Sequence, residues 1–261
     1  MQPVKAKKHL GQHFLHDKKI AERIVNALPE EALENDLLEI GPGTGVLTDF
    51  ILQKKTSGFV ALDVDEESVV YLKQHYPKNA EQFLFGDFLN YDLNKIVKGN
   101  FNVIGNFPYN ISTQIMFRVL EYRNQVDYVV GMFQREVAKR IAEKPGSKEY
   151  GILSVLLQAY YNIEYLFTVN EGVFSPPPKV KSGVIRLKRN QTKQLTCNEE
   201  LFFKVVKTAF NQRRKTLRNA LRIMLTEELL TLEILNKRAE QLSVKDFEEL
   251  TKTIEVNTIS K

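Results

Sequence analysis

Asn106, Pro108 and Tyr109 are the residues of this chain whose types and spacing best suit a chemical role. They belong to the tetrad Asn106-Phe107-Pro108-Tyr109, which follows a short apolar run at 101–105. The side-chain oxygen of Asn106 and a main-chain carbonyl near Pro108 can accept the two N–H bonds of a planar amino group, while Tyr109 offers a ring face to a base. The tetrad alone is also compatible with a glutamine pocket or with a turn that ends a strand, because Asn and Pro are common in turns.

The chemistry of a pocket for adenine would be alkylation of the bound amine. The exocyclic amine of adenine is a poor nucleophile because its lone pair is delocalised into the ring. Two acceptors that hold the nitrogen in line with a methyl donor, and favour its sp³ form, overcome this without a strong base. A neutral Asn106 therefore suffices where a hydrolase would need a carboxylate or a His.

The elements that must position this tetrad alternate between strand and helix patterns from about residue 36 to residue 188. Short apolar runs predict strands at 37–40, 58–62, 82–85, 101–105 and 126–130, and a helix is expected from Val46 to Lys54. Two longer extended segments, 162–169 and 183–188, predict an antiparallel hairpin that closes the sheet. The pattern indicates a Rossmann-like α/β sheet, which binds ligands at the carboxyl ends of its strands.

A glycine-rich loop follows the first predicted strand. Gly41 and Gly43 permit close backbone approach by a ligand. The glycine spacing differs from the dinucleotide fingerprint, and nothing in the loop requires a pyrophosphate. The open loop instead suits the amino acid tail of S-adenosylmethionine.

Acidic residues end the next two predicted strands. Asp63 lies about 20 residues after the loop, the separation typical of a carboxylate that accepts from ribose hydroxyls. Asp87 can accept from an adenine amine, and Phe88 can stack on the adenine ring. Asp65 and Asp92 are interpreted as helix caps. The three strand ends together predict a site for S-adenosylmethionine.

The composition is that of an ordinary globular protein, with 261 residues of which 43% are hydrophobic and 26% charged. No apolar run is long enough to span a membrane and the amino terminus lacks the apolar core of a signal peptide, so a cytoplasmic protein is expected. One cysteine, Cys197, and four histidines without ligand spacing predict neither a disulfide nor a metal site.

The net charge of +5 is unevenly distributed. Residues 201–226 contain seven Lys or Arg and no acid, whereas residues 227–261 contain eight acidic and five basic residues. The first stretch and an amino-terminal basic cluster are candidates for binding a polyanion, although basic faces are often merely solvated. RNA contacts are predicted for Lys7, Lys8, Arg213, Arg214, Lys215, Arg218 and Arg222.

A change of character after Asn190 indicates a domain boundary. Residues 190–199 are polar and resemble a linker, and the apolar residues that follow share helical faces, such as Leu217, Leu221 and Leu225. We therefore expect a catalytic domain at 1–190, whose segment 1–35 contacts cofactor and RNA, and a small all-helical RNA-binding domain at 191–261.

Six ordered motifs resemble the ribosomal RNA adenine N6,N6-dimethyltransferases, particularly the kasugamycin-sensitivity group that modifies paired adenines near the 3′ end of small-subunit rRNA. The resemblance spans almost the whole chain. The motifs are Gly11-Gln-His-Phe-Leu15, Glu39-Ile-Gly-Pro-Gly43, Asn106-Phe-Pro-Tyr109, Pro145-Gly-Ser-Lys-Glu-Tyr-Gly151, Phe174-Ser-Pro-Pro-Pro-Lys-Val-Lys-Ser182 and Phe210-Asn-Gln-Arg-Arg-Lys-Thr-Leu-Arg218.

The resemblance implies a class I methyltransferase fold and a role for each matching residue. Gln12, His13 and Leu15 would close over the methionine end of the cofactor, and the glycine loop would approach that end from below. Tyr109 and Phe174 would sandwich the flipped adenine; Phe174 could otherwise be a core aromatic residue. The family usually has Asn at the position of His13 and Leu at that of Phe107. For Phe107 we expect altered packing rather than lost chemistry.

The resemblance also implies the substrate and the partners. The expected reaction is S-adenosylmethionine-dependent dimethylation of two adjacent adenines of small-subunit rRNA, within a pre-ribosomal small subunit and coupled to its maturation. A monomer without a metal is expected. The alternatives are a large-subunit rRNA methyltransferase of the macrolide-resistance type, an assembly factor that acts mainly by binding, and a glutamine N5-methyltransferase.

Overall fold

The structure, a computed structural model, describes residues 4–259 of the chain. The strands, numbered in chain order, are β1 (Phe14–Leu15), β2 (Asp36–Ile40), β3 (Gly58–Asp63), β4 (Phe83–Phe85), β5 (Phe101–Asn106), β6 (Val126–Gln134), β7 (Tyr161–Val169), β8 (Phe174–Ser175) and β9 (Ser182–Arg189). The α-helices are α1 (Lys18–Val25), α2 (Thr48–Ile51), α3 (Glu66–His75), α4 (Ser112–Glu121), α5 (Arg135–Ala142), α6 (Ile152–Gln158), α7 (Glu199–Asn211), α8 (Leu217–Ala220) and α9 (Val244–Ile259). No helix in this part of the chain is both long and apolar enough to cross a membrane.

The chain divides into two compact units. The first comprises the chain up to Lys139 together with Asn162–Arg189, and the second comprises Arg140–Tyr161 together with the chain from Asn190 onward. The predicted boundary near residue 190 lies at one of these junctions. The prediction assigned residues 140–161 to the catalytic domain, however, whereas the structure groups them with the second unit.

A seven-stranded sheet in the order β4-β3-β2-β5-β6-β9-β7 forms the framework of the first unit. β2 lies parallel to β3 and β5, the pairs β3–β4 and β5–β6 are also parallel, and β9 runs antiparallel to β6. The chain leaves β2 on one side and returns on the other, so the sheet has a switch point between β2 and β5, where open α/β sheets bind ligands. The predicted α/β fold with an antiparallel closing strand is confirmed.

Two elements differ in length from their predictions. β6 extends to Gln134 because Gly131–Gln134 pair with the first residues of β9. α2 covers only Thr48–Ile51 rather than Val46 to Lys54. Gly43 and Gly45 have positive φ values of 58° and 88°, so the backbone before Val46 is not helical and residues 44–47 form turns.

The second unit is held together by aromatic residues on its helices. The rings of Phe210 on α7 and Phe247 on α9 lie 5.9 Å apart, and the ring of Tyr150 lies 6.2 Å from Phe210. Gly146 N also donates a hydrogen bond to Glu240 O at 2.7 Å. These contacts explain why residues 140–161, including α6, group with the carboxyl-terminal helices rather than with the sheet.

The expected helix through Leu217, Leu221 and Leu225 is only partly present. α8 ends at Ala220, and a 3-10 turn at Arg222–Met224 follows it. Leu221 has φ −102° and ψ 9°, which departs from helical values, and Thr216 forms a β-bridge with Arg238. The region between α7 and α9 is therefore built from short turns fixed by backbone hydrogen bonds.

Phe107, the second residue of the tetrad, is buried beneath it in the first unit. Its side chain is 1% exposed, and its ring packs edge-on against Phe133 with centroids 5.1 Å apart. The ring lies on Gly105 and Gly131, which face each other across β5 and β6. A Cβ on Gly131 would overlap the Phe107 ring. The absence of a side chain at Gly131 therefore provides the space that the large ring needs.

This packing predicts a paired effect on stability. Gly131→Ala should lower the free energy of unfolding by about 1–3 kcal/mol, the usual cost of overpacking. Phe107→Leu, introduced into the Gly131→Ala protein, should recover part of that loss because the smaller side chain frees the space. Chemical denaturation measures both effects.

Gly172→Ala is the matched control, because no atom lies within 4 Å of the position of a Cβ at Gly172. It should change the free energy of unfolding by no more than about 0.5 kcal/mol. Equal losses for both glycine variants, or no recovery with Phe107→Leu, would contradict this account.

Candidate active site

A cavity with an empty volume of about 660 Å³ lies at the carboxyl edge of the sheet in the first unit. One wall consists of strand ends and the tetrad, and the other of residues 10–14. Ten predicted site residues line it: Gln12, His13, Gly41, Gly43, Asp63, Asp87, Phe88, Asn106, Pro108 and Tyr109. Parallel strands end at the same edge, so segments distant in sequence meet here.

The glycine loop makes close contacts that exclude a side chain. Gly43 has a φ of 58°, and a Cβ there would lie 2.9 Å from Cε1 of Phe14. Gly43 N donates to Asp63 Oδ2 at 3.1 Å. The loop is therefore fixed on one side by an aromatic ring and on the other by the carboxylate at the end of β3.

Asp63 is the buried carboxyl group of the cavity. Its Oδ1 accepts a hydrogen bond from Asp65 N at 2.9 Å, and its Oδ2 accepts from Gly43 N. Burial raises the pKa of Asp63 to about 6, and the two backbone donors oppose that shift. A carboxylate has about four acceptor positions, so Asp63 keeps the capacity for two further hydroxyl donors. This is the arrangement that a ribose diol requires.

Glu39, inside β2, is a second buried carboxyl group that sequence reasoning did not assign a role. Its Oε2 accepts a hydrogen bond from Thr48 Oγ1 at 2.6 Å. Burial raises the pKa of Glu39 to about 8, so this group carries its proton at neutral pH. Glu39 lines a smaller cavity beside the glycine loop, together with Leu15. An acid within an otherwise apolar strand was the available signal.

Asp87 and Phe88 lie at the end of β4, as predicted. Asp87 Oδ1 accepts from Leu89 N at 2.9 Å, and Oδ2 accepts from Asn90 Nδ2 at 2.6 Å. These bonds fix the carboxylate while leaving further acceptor positions. The Phe88 side chain is buried and contributes an apolar wall. An acceptor next to an aromatic ring is suited to an adenine.

The amide of Asn106 is oriented by the amino-terminal segment. Asn106 Nδ2 donates to the backbone oxygen of His13 at 2.9 Å. Its Oδ1 accepts no hydrogen bond from any residue that the structure describes, so an acceptor is left at the end of β5. The Pro108 carbonyl accepts from Ile111 N at 3.2 Å and retains its second lone pair. The two acceptors expected from the tetrad are therefore both available.

Tyr109 is fixed at its hydroxyl group. Its Oη lies 2.5 Å from Ser182 Oγ, and burial raises the pKa of Tyr109. The ring of His13 stands beside the ring of Tyr109, with centroids 5.4 Å apart. His13 Nδ1 lies 2.7 Å from the oxygen of Pro176, and since a carbonyl only accepts, that nitrogen is the donor. His13 thus connects the tetrad to the proline-rich loop.

Two predicted residues do not line the main cavity. Leu15 and Phe174 face each other in the short antiparallel pair β1–β8, and both side chains belong to the hydrophobic core. Phe174 is only 3% exposed, so its ring is not available to a base in this conformation. This is the core position considered as the alternative for Phe174, and its stacking role stays a prediction.

The predicted RNA contacts of the amino-terminal segment differ from each other. Lys8 is exposed. The ammonium group of Lys7 instead lies 2.6 Å from Asp65 Oδ1 and 3.1 Å from Glu67 Oε1. The sequence showed the charge of Lys7 but not the acids that it meets.

The basic residues of the second unit also divide into two groups. Arg213 donates to the oxygens of Ser147 and Lys148, and Arg218 donates to Leu230 O and Asn236 Oδ1. Arg222 Nη2 lies 2.9 Å from Glu227 Oε1. Arg214 and Lys215 are exposed, and their side chains contact no partner in the described part of the chain. These two are the predicted cations best placed to meet phosphate.

Sequence reasoning missed several cavity residues. Phe14, Val64 and Gly86 line the cavity and are immediate neighbours of residues that were predicted. Their apolar types carried no chemical signal, and only the tertiary fold shows that they face the same space. Within the described residues no three His, Cys, Asp or Glu side chains lie close enough together to hold a metal ion.

The family to which the chain belongs follows from a sequence comparison. The profile of the family described as "Ribosomal RNA adenine dimethylase" matches residues 4–255. The chain belongs to this family. Among its relatives are two proteins named "Ribosomal RNA small subunit methyltransferase A". The one from Cytophaga hutchinsonii is 57% identical and covers 96% of this chain and 98% of its own; the one from Flavobacterium johnsoniae is 54% identical and covers 99% of both.

Solved structures show the same fold at lower identity. A dimethyladenosine transferase from Plasmodium falciparum is 24% identical, with a TM-score of 0.78 over 94% of this chain and 98% of its own. The 23S rRNA methyltransferase ErmE is 22% identical, with a TM-score of 0.64 over 92% of this chain and 99% of its own. These likenesses support the class I methyltransferase fold alone.

Family membership gives the reaction that the cavity must serve. The protein is an rRNA adenine dimethyltransferase that uses S-adenosylmethionine, and rRNA is its substrate. The cavity fits this cofactor, because it combines a buried acceptor for ribose hydroxyls, an apolar wall with a polar acceptor for adenine, and an open glycine loop. The predicted enzyme class and cofactor are thereby confirmed.

The raised pKa of Asp63 predicts how cofactor binding depends on pH. Only the carboxylate form accepts two ribose hydroxyls, so binding should require deprotonated Asp63. With a pKa of about 6, S-adenosylhomocysteine should bind about tenfold more weakly at pH 5 than at pH 7.5. Isothermal titration calorimetry at the two pH values measures this ratio.

Asp63→Asn is the control, because its side chain does not titrate. Its affinity should be lower at pH 7.5 and should change less between the two pH values than that of the wild type. An unchanged dependence on pH in this variant would assign the effect to another group, of which Glu39 and Asp65 are the nearest acids.

Proposed function

We propose that this enzyme dimethylates the N6 amines of two adjacent adenines near the 3′ end of small-subunit rRNA, within a pre-ribosomal small subunit in the cytoplasm. The observation that carries the proposal is the geometry of Asn106, whose Nδ2 is bound to His13 O while Oδ1 remains an acceptor. The small subunit is supported by the names of the relatives that are 57% and 54% identical. A monomer acts alone in this proposal, and methylation is coupled to subunit maturation.

The binding of the methyl donor is assigned to the carboxyl edge of the sheet. Bound S-adenosylmethionine supplies a methyl group attached to a positively charged sulfur. Asp63 accepts from its ribose hydroxyls, Asp87 accepts from its adenine amine, and Phe88 packs on the adenine ring. Gln12, His13 and Leu15, with Gly41 and Gly43, enclose the methionine end.

The target amine is assigned to the tetrad. Asn106 Oδ1 and Pro108 O accept its two N–H bonds, which holds the nitrogen in one place and favours its sp³ form. Tyr109, held by Ser182, gives the base a ring to stack on. The amine loses its proton readily once methylated, so no strong base is needed beside it.

The second methylation places a further demand on the pocket. An amine that already carries one methyl group has a single N–H bond left. One of the two acceptors then loses its donor, so the pocket must hold the methyl group beside that acceptor. Phe174 is the proposed second stacking surface, which requires its ring to leave the core position beside Leu15.

Asn106→Ala should reduce methyl incorporation into undermethylated small subunits by at least about 100-fold, because it removes a preorganised acceptor. Binding of the subunit should change less than about twofold, since the cationic contacts are untouched. Incorporation of tritiated methyl groups and a filter-binding assay measure the two quantities.

Asn94→Ala, which removes an exposed asparagine remote from the cavity, is the control and should leave both quantities unchanged. Full retention of methyl incorporation by Asn106→Ala would refute the proposed role of the tetrad.

The exposed cations of the second unit predict a separable effect on RNA binding. Arg214→Gln with Lys215→Gln should weaken binding and reduce the salt dependence of the binding constant by about 0.7–0.9 logarithmic units per contact. Stability should be unchanged because neither side chain has a recorded partner. Titrations at several salt concentrations measure the slope.

Arg213→Gln and Arg218→Gln form the comparison pair, because their guanidinium groups donate to backbone oxygens within the second unit. These variants should lower the free energy of unfolding by about 1–3 kcal/mol each. If neutralising all four residues left RNA affinity and its salt slope unchanged, this surface would not be the RNA contact.

A further inference from the structure

Lys7 is committed to two acids rather than exposed to solvent. Its Nζ atom lies 2.6 Å from Asp65 Oδ1 and 3.1 Å from Glu67 Oε1. The Asp65 side chain is fully buried, whereas that of Glu67 is 66% exposed. An ion pair with a buried partner is worth more than an exposed one, because removal of the lysine leaves a buried charge uncompensated. The contact with Asp65 is therefore the important one.

Gln12 binds the second oxygen of the same carboxylate. Gln12 Nε2 donates to Asp65 Oδ2 at 3.0 Å, while its Oε1 accepts from Lys7 N at 2.7 Å. Both ends of the residue 7–12 stretch therefore converge on Asp65 and on each other. Burial alone would raise the pKa of Asp65, but the bonds from Lys7 and Gln12 outweigh it and keep the pKa low.

Asp65 in turn connects to the cofactor wall of the cavity. It caps α3 through Glu67 N, and its own N–H donates to Asp63 Oδ1 at 2.9 Å. Asp63 Oδ2 accepts from Gly43 N. A continuous series of hydrogen bonds thus runs from Lys7 to the glycine loop.

The amino-terminal segment is also anchored at its other end. Phe14 and Leu15 pair with Ser175 and Phe174, and the His13 carbonyl accepts from Asn106. Between these two anchors, residues 10–14 form one wall of the cavity. The segment therefore resembles a strap that is fixed at both ends across the site.

We infer that Lys7, Gln12 and Asp65 form a latch that holds this strap closed over bound S-adenosylmethionine. Lys7 and Asp65 are positioning residues, since they act on the cofactor through residues 10–14 rather than by touching it. The inference rests on the proposed function, because it takes the cavity to be the cofactor site. It also replaces the predicted RNA contact of Lys7 with a role in cofactor retention.

The test measures the dissociation constant of S-adenosylhomocysteine by isothermal titration calorimetry on the full chain. Lys7→Met and Asp65→Asn should each raise it about tenfold, the effect of losing one charge-assisted hydrogen bond. Asn remains a good helix cap, so the second variant removes the charge without removing the cap. The double variant should be little worse than either single one, because both remove the same contact.

Three variants serve as controls. Lys7→Arg keeps the charge and should bind within about twofold of the wild type. Lys73→Met removes an exposed lysine of α3 and should have no effect. Asp92→Asn removes another capping carboxylate with a lysine 4.0 Å away, but one that does not line the cavity, and it should also have no effect.

Two results would overturn the latch. If Lys7→Met left the dissociation constant unchanged but reduced the salt slope of rRNA binding, Lys7 would be an RNA contact. If Lys7→Arg were as weak as Lys7→Met, the charge would not be the cause. Asp63→Ala separates the latch from the proposed function. Loss of binding in Asp63→Ala alone rejects only the latch, whereas no loss in either variant rejects the cavity as the cofactor site.

Discussion

The parallel hydrogen bonding of β2 with β3 and β5 is the constraint on which the site depends. Parallel strands end at one edge, so Gly41, Asp63 and Asn106 are brought together although more than 40 residues separate the last two. The backbone hydrogen bonds that fix each strand also fix the first residue after it, which is why rigid elements can hold a site whose residues lie in loops. The amino-terminal strap adds the only wall that this sheet edge does not itself supply in the described part of the chain.

That edge concentrates acids, which is costly unless their charges are managed. Glu39 keeps its proton, Asp63 receives two backbone N–H groups, and Asp65 receives a lysine and a glutamine. Each acid is thus stabilised in a different way, and only Asp63 combines burial with unused acceptor capacity. A ligand with hydroxyl donors completes the hydrogen bonding of Asp63, so the energetic cost of its burial becomes a preference for the cofactor.

The sequence predicted the sheet and ten cavity residues because both are governed by local patterns. Apolar runs identify strands, and a polar residue just after such a run lies at the ligand-binding edge. The errors fall where the partner comes from a distant segment. Phe174 was assigned from its motif, but the pairing of β8 with β1 buries its ring. Lys7 and Arg218 were assigned from charge, but their acid and carbonyl partners lie 58 and 12 residues away in the chain. Charge can be counted along a sequence, whereas its neutralisation depends on tertiary contacts.

His13 shows why a change of side chain at a conserved-looking motif can leave the chemistry intact. The contact that orients Asn106 comes from the backbone oxygen of residue 13, which every residue type provides. What His13 adds is a ring that reaches the Pro176 carbonyl and stands beside Tyr109. A ring in that place ties the strap to the proline-rich loop that presents Phe174, so cofactor retention and base stacking share one residue. The catalytic amide therefore depends on the path of the strap more than on the side chains that the strap carries.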